Sequence, residues 1–244
     1  MPNSPDSPEL PVSPASGIAA VVFDWRGTLV SELDARGWVR EALRRRHAAA
    51  SGAVVDDAAI DAVLSRIHTP ELRRRLQAPD GNIGEKRHRE TYFGVFADAG
   101  LDDALARALW DVDSDPSYNT FAADAAETVA ALFDSGRAVG VLSNIHFDIR
   151  PFFRDPPFDR IPERAFVLSC EAGVQKPDPA IFEEMLARLG TRAAATLMVG
   201  DRENRDGAAR RVGMPALIVE PLTDPATRQL GRVAAFVAGH GDPR

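Results

Sequence analysis

The chain has 244 residues, 45% of them hydrophobic and 27% charged, which is enough to bury one large core or a core with a smaller insert. Its formal net charge of -7 argues against a nucleic-acid surface, because such surfaces cluster positive charge to neutralise phosphates. The single cysteine, Cys170, cannot form an internal disulfide, and neither a signal-like segment nor an apolar run of bilayer length is present. A reduced, cytoplasmic protein with no membrane partner is the expectation, with Cys170 a small buried core residue.

Residues 1–17 are rich in Pro and Ser and carry almost no large apolar side chain beyond Leu10. They cannot repay the entropy of ordering themselves and read as a disordered leader. The first apolar run, Ala19 to Phe23, lacks polar alternation, which suits a strand covered on both faces. From Glu32 to about Pro116 the apolar spacing is helical: Trp38, Val39, Ala42 and Leu43; Ile60, Val63, Leu64 and Ile67; Tyr92, Phe93 and Phe96; Leu105, Ala108 and Leu109. That stretch is too long for a single crossover, so it predicts a separate all-helical cap over 32–116, with Trp38, Tyr92 and Phe96 in its core.

Further strand-like runs follow at Ala138 to Leu142, Ala165 to Leu168, Thr196 to Val199 and Ala216 to Val219. Helical stretches separate them, such as Ala125 to Phe133, and Ala180 to Leu189 with Pro179 suited to the first turn and Gly190 to the stop. Alternating strands and helices predict a doubly wound, parallel-sheet α/β core over 18–31 and 117–226, with a C-terminal helix or tail over 227–244.

The polar residues fall where such a sheet places ligands. Asp24 follows the first run, Ser143 and Asn144 the second, and Asp201 closes the fourth with Asp206 five residues on; the carboxyl ends of parallel strands line the ligand crevice. A carboxylate such as Asp24 can attack phosphorus when cations screen the repulsion. Magnesium supplies that screen and takes hard oxygen ligands, with Asp24 and Asp201 the candidates and Asp206 a direct or water-mediated third. Lys176 can neutralise a phosphate oxygen and the nucleophile together. Thr28, Ser143, Asn144 and backbone donors around Gly27 can bind the remaining oxygens of a small anionic, phosphorylated substrate.

Four segments carry a resemblance: Phe23-Asp24-Trp25-Arg26-Gly27-Thr28-Leu29, Leu142-Ser143-Asn144, Gln175-Lys176-Pro177-Asp178-Pro179, and Val199-Gly200-Asp201 with Asp206, Gly207 and Ala208. In this order the sequence resembles the haloacid dehalogenase-like superfamily, over about residues 18–222. The resemblance implies a Rossmann-like core with a helical cap inserted after the first strand, Asp24 as nucleophile, Ser143 on phosphate, Lys176 orienting the charges, and Asp201 and Asp206 serving the metal.

One position departs from the pattern. Phosphatases of the superfamily place a second aspartate two residues after the nucleophile as general acid and base, and this chain has Arg26, which cannot shuttle a proton. The Arg26 backbone carbonyl remains a candidate magnesium ligand. Acid–base assistance is worth roughly a hundred- to ten-thousand-fold, so leaving groups that need no proton are expected to react best. His146 and Glu203 are weak candidates for a replacement base. A catalytically degraded binding or regulatory protein is the first alternative. Phosphonate cleavage is another, because Asp24-Trp25-Arg26-Gly27-Thr28 resembles the first motif of phosphonoacetaldehyde hydrolases and Lys86 is the sole cap lysine available as their Schiff base. Haloacid cleavage is the third. Lys86 lies in the basic run Lys86-Arg87-His88-Arg89, which reads as a solvated helix face, as do the triplets Arg44 to Arg46 and Arg73 to Arg75.

Overall fold

A computed structural model describes residues 17–48, 55–76 and 84–239. The expected leader, apart from Gly17, and the last five residues of the tail lie outside them. The core is a five-stranded sheet of β1 (Ala20–Phe23), β4 (Ala138–Ser143), β5 (Phe166–Leu168), β6 (Thr196–Gly200) and β7 (Ala216–Ile218), in the order β5-β4-β1-β6-β7 with every pairing parallel. Each predicted apolar run is one of these strands to within a residue or two. The reason is visible at β1, whose four residues are wholly buried: helices cover both faces of a central parallel strand, so both faces must be apolar.

Register turns this into a site. Phe23 lies level with Val141 of β4 and Val199 of β6. The chain therefore leaves all three strands at the same edge, and Asp24, Ser143 and Asp201 emerge together there. Helices α6 (Ala125–Asp134) and α8 (Pro179–Leu189) pack on the sheet, and Asp178 caps α8 by accepting from Ala180 N at 2.9 Å. The terminal α9 (Gly231–Gly239) packs on α6.

Between the first and second strands of the sheet the chain makes an all-helical cap, as the spacing predicts. It comprises α1 (Ala35–Ala48), α2 (Asp57–Ile67), α3 (Pro70–Leu76), α4 (Glu85–Asp98) and α5 (Asp103–Asp113). The cap has its own apolar cluster, built on Val39, Ile60, Ile67, Phe96 and Leu109, distinct from that of the sheet. Phe96 is fully buried, and Trp38 and Tyr92 pack half-buried at its edge. Two aspartates start helices where the sequence changes from loop to periodic: Asp56 accepts from Ala59 N at 2.8 Å and Asp102 from Leu105 N at 3.0 Å, each worth about 1 kcal/mol.

An antiparallel ribbon of β2 (Val30–Ser31) and β3 (Thr120–Phe121) joins cap to core, tying the outgoing and returning chains together. At two residues each, these strands are too short to show a period, and the sequence reading missed them. Trp25 locks the ribbon to the core: it is fully buried, with its ring 5.5 Å from Phe121 and 5.1 Å from Phe153. Cys170 packs against the core but is only half-buried, and burial pushes its thiol up to about 11, so it is unreactive without being the fully buried residue expected. No described helix is long and apolar enough to cross a membrane.

Candidate active site

Asp24, Asp201 and Asp206 converge at the strand ends, each offering a carboxylate oxygen within 4.8 Å of the others. The backbone forces this closeness. Gly27 has a φ of +81°, and a Cβ there would lie 2.6 Å from Asp201 Oδ2. Gly200 is tighter still: a Cβ would meet Asp206 Cγ at 2.1 Å. The turn after β1 closes through Leu29 N and Val30 N, both donating to Trp25 O, and Asp24 Oδ1 accepts from Trp25 N at 2.7 Å.

Lys176, 1% exposed, stands inside this cluster. Its ammonium donates to Asp206 Oδ1 at 2.5 Å and Leu142 O at 3.0 Å, and lies 2.9 Å from Asp24 Oδ1. Burial alone would lower its pKa, but the Asp206 and Asp24 carboxylates outweigh this and raise it, so the ammonium is held charged. Asp206 is pushed up to about 6 by burial, against the pull of Lys176. Burial and the charge of Asp24 also raise Asp201. Three carboxylates facing one ammonium leave a deficit of positive charge, and Asp201 Oδ1 is buried without a hydrogen-bond partner. This donor set of hard oxygens fits a magnesium ion, with Asp24, Asp201 and Asp206 as the residues able to hold it.

Of the remaining expected residues, Ser143 is buried at the end of β4, and Thr28 is fully buried with a hydroxyl lacking a hydrogen-bond partner. Asn144 is placed otherwise than expected. Its Oδ1 accepts from Lys176 N at 2.8 Å and its Nδ2 donates to Lys176 O at 2.9 Å, so both ends of the amide are spent holding the Lys176 backbone. Glu203 is on the surface, 2.5 Å from Arg210. The Lys86 ammonium is 91% exposed and lies 4.0 Å from Glu90 Oε1, which leaves it poorly placed for Schiff-base chemistry. Arg44, Arg45, Arg46, Arg74 and Arg75 pair with acids at the cap surface, among them Glu41, Asp115, Asp102, Glu71 and Asp98.

Arg26 has an environment that the sequence did not reveal. Its guanidinium donates to Asp113 Oδ1 at 3.2 Å and Asp113 O at 2.7 Å, approaches Glu32 Oε2 at 3.4 Å, and lies over the Phe147 ring. The position that carries a proton shuttle in related phosphatases here ties the core to the end of α5. The Arg26 charge and the His88 contact hold the half-buried Asp113 carboxyl well below the usual range despite desolvation. Two further histidines meet this carboxylate. His88, from the basic run read as solvated, is buried, and it stacks on His146 with ring centroids 3.8 Å apart. Burial, reinforced by His88, lowers His146 to about 3, so its ring is neutral at physiological pH. A cavity of about 30 Å³, room for one water, lies beside Arg26, Glu32 and Asp113.

Comparison with known proteins agrees with this arrangement. A family described as haloacid dehalogenase-like hydrolase matches residues 18–213. A glyceraldehyde 3-phosphate phosphatase of Methanothermobacter thermautotrophicus is 32% identical over 112 residues, covering 41% of this chain and 45% of that protein. A second, from Methanopyrus kandleri, is 47% identical over 49 residues, covering 20% of this chain and 21% of that protein. The chain thus matches less than half the length of these curated relatives. Among solved structures, a 2-haloacid dehalogenase from Pseudomonas syringae pv. Tomato superposes with a TM-score of 0.61 at 25% identity, covering 91% of this chain and 99% of that one. A phosphatase from Thermococcus onnurineus superposes at 0.59 and 20% identity, covering 91% and 98%, a likeness of fold alone. With the family match spanning most of the chain and the helical cap inserted where that fold carries it, this protein belongs to the haloacid dehalogenase-like hydrolases.

Proposed function

We propose that the protein is a magnesium-dependent phosphohydrolase acting on a small phosphorylated metabolite through a phosphoryl group transferred to Asp24. The observation that carries this reading is Lys176: one buried ammonium 2.9 Å from Asp24 and 2.5 Å from Asp206, within a three-carboxylate cluster suited to a divalent ion. Haloacid cleavage fits less well, because a halide leaves as a stable anion and that chemistry needs no metal ion for three gathered carboxylates to hold.

In this mechanism an Asp24 oxygen attacks phosphorus, the bond to the leaving oxygen breaks, and the leaving group departs with its electron pair. Water then attacks phosphorus, releasing phosphate and restoring the carboxylate. When bound, magnesium supplies charge screening between the Asp24 carboxylate and the phosphoryl oxygens. Lys176 orients Asp24 and stabilises charge developing beside it, and Asn144 fixes the Lys176 backbone. Ser143 and Thr28 offer hydroxyls to the phosphoryl oxygens, and the Arg26 carbonyl would be a further magnesium ligand. Arg26 donates no proton, so acyl, anhydride and phenolic phosphates should outrun alkyl phosphates. His146 offers little help, since a base of pKa near 3 is weak.

Purified protein given an activated aryl phosphate should release phosphate only with magnesium, and Asp24→Asn should abolish it. Activity surviving that substitution rejects the reading. A second reading, a binding protein that has lost turnover, is favoured by Arg26 being committed to Asp113 and Glu32. Arg26→Asp alone would set a new carboxylate against those two, so the informative variant is Arg26→Asp with Asp113→Asn. A large gain in alkyl-phosphate hydrolysis would mark catalysis that had been lost, whereas ordinary turnover by the unaltered protein on a metabolite such as glyceraldehyde 3-phosphate would dismiss it.

A further inference from the structure

We propose, resting on the phosphohydrolase reading above, that Arg202 and Arg205 form a second anion site beside the carboxylate cluster, so that the substrate is a phosphate compound carrying a further anionic group. Both arginines belong to the turn that leaves β6, and its backbone is fastened to the cluster. Arg205 N and Asp206 N donate to Arg202 O at 3.0 and 2.7 Å, and Arg202 N donates to Asp206 Oδ2 at 3.0 Å. Arg202 leans on Asp201, with Nε 3.5 Å from Oδ2 and half of its side chain in solvent. Arg205 is half-buried, yet among the described residues no carboxylate lies within 4.0 Å of it. Every other half-buried arginine whose side chain is described meets a carboxylate or a backbone carbonyl, as Arg188 meets Glu184 and Arg137 meets Ile18 O.

A guanidinium removed from water ordinarily gains a partner that offsets the lost hydration. Burial and the charge of Arg202 both disfavour the Arg205 cation, while Asp24, Asp206 and Asp201 favour it from beyond contact distance. The group stays protonated regardless, so two like charges stand in one turn and Arg205 lacks a counterion. Neutralising the carboxylates does not account for them. Lys176 and a divalent ion together balance Asp24, Asp201 and Asp206, which leaves both guanidiniums as surplus positive charge. Nor does the transferred phosphoryl group require them, since on the same reading Lys176, Ser143, Thr28 and the metal meet its oxygens. The donors of Arg205 and the solvent-facing part of Arg202 suit the oxygens of a carboxylate or a second phosphate. Glu32, held by Arg26 at 3.4 Å and close enough to feel both Arg202 and Asp24, sets a negative charge on the cap side that repels the same group. The anionic tail is thus drawn to the turn after β6.

The test uses the full chain in millimolar magnesium with three probes: phenyl phosphate, meta-carboxyphenyl phosphate and resorcinol bisphosphate. Calorimetric affinities are taken on Asp24→Asn, which binds without turnover, so they stand whether or not the unaltered protein hydrolyses phosphate esters. The carboxylate probe, the bisphosphate or both should bind roughly ten- to a hundredfold more tightly than phenyl phosphate, and the larger gain identifies the tail. Adding Arg205→Gln or Arg202→Gln should bring that ratio toward unity, Arg205→Lys should restore part of it, and high salt should compress it. A ratio near unity in Asp24→Asn itself, or equal losses for all three probes on adding Arg205→Gln, would overturn the proposal and leave the arginines as general counterions. Failure of the phosphohydrolase reading shows separately, as no phosphate release by the unaltered protein while the affinity ratio persists.

Discussion

Replacing Lys176 by Met preserves much of the buried stem and removes the charge. The ammonium is 1% exposed and sits between Asp206 Oδ1 at 2.5 Å and Asp24 Oδ1 at 2.9 Å. Removing one member of a buried ion cluster leaves uncompensated charge and costs about 3–5 kcal/mol. An independent ceiling follows from protonation. Once the ammonium is gone, a carboxylate with an ordinary pKa of 3.8 can take a proton instead. At about pH 7.5 that escape costs about 5 kcal/mol, being roughly 3.7 pH units at 1.36 kcal/mol each. At about pH 5.5 it costs about 2 kcal/mol. The deficit of Lys176→Met should therefore be about 3–5 kcal/mol at the higher pH and fall to no more than about 2 kcal/mol at the lower. In a chain of this size each kcal/mol moves Tm by about 2–4 °C. Thermal and urea unfolding in chelator, repeated with magnesium, reads it, and magnesium should restore part of the loss in the variant. A deficit under about 1 kcal/mol, or one indifferent to pH, would refute the picture of carboxylates held together by one buried ammonium.

Gly27→Ala puts a methyl at a φ of +81°, 2.6 Å from Asp201 Oδ2. It should cost about 1–2 kcal/mol in backbone strain and raise the magnesium needed for half-maximal phosphate release about tenfold; an unchanged magnesium requirement would separate Gly27 from the metal site. His146, its folded pKa lowered to about 3 from 6.5, stays neutral in the folded state while the unfolded chain takes up a proton below 6.5. Stability should thus be unaffected by this group above pH 6.5 and fall as pH drops toward 3, by about 2 kcal/mol at pH 5. His146→Gln, compared in chelator, should lack that component, and identical pH profiles would contradict it.

The sheet was legible because β1, β4, β5, β6 and β7 are apolar on both faces, a pattern that survives in short runs. The site was legible because parallel register aligns the ends of β1, β4 and β6, so polar residues placed just after those runs must meet. What escaped was set by tertiary neighbours rather than by local pattern. Val30–Ser31 and Thr120–Phe121 are too short for any period, yet they close the cap's two connections. Asn144 follows a strand end as a phosphate ligand would, but its amide matches the Lys176 backbone thirty-two residues away. His88 sits among Lys86, Arg87 and Arg89, and only the helix rotation decides that it alone of the four is buried.

Arg26 shows most clearly how one substitution can be read from sequence only as a loss. The absence of an aspartate predicts weakened proton transfer, and that inference needs no structure. What the arginine does instead depends on Asp113, eighty-seven residues away, which presents both a carboxylate and a carbonyl to the same guanidinium. An aspartate at position 26 would repel that carboxylate, so the two positions are physically coupled: the acid that shuttles protons and the acid that ends α5 cannot both stay ionised side by side without a cation between them. The cation here is Arg26 itself, and it binds cap to core at the position where relatives deliver a proton. The helical cap and the missing acid are thus two sides of one electrostatic arrangement. A variant that restores the acid must also neutralise Asp113 before its effect on turnover can be interpreted.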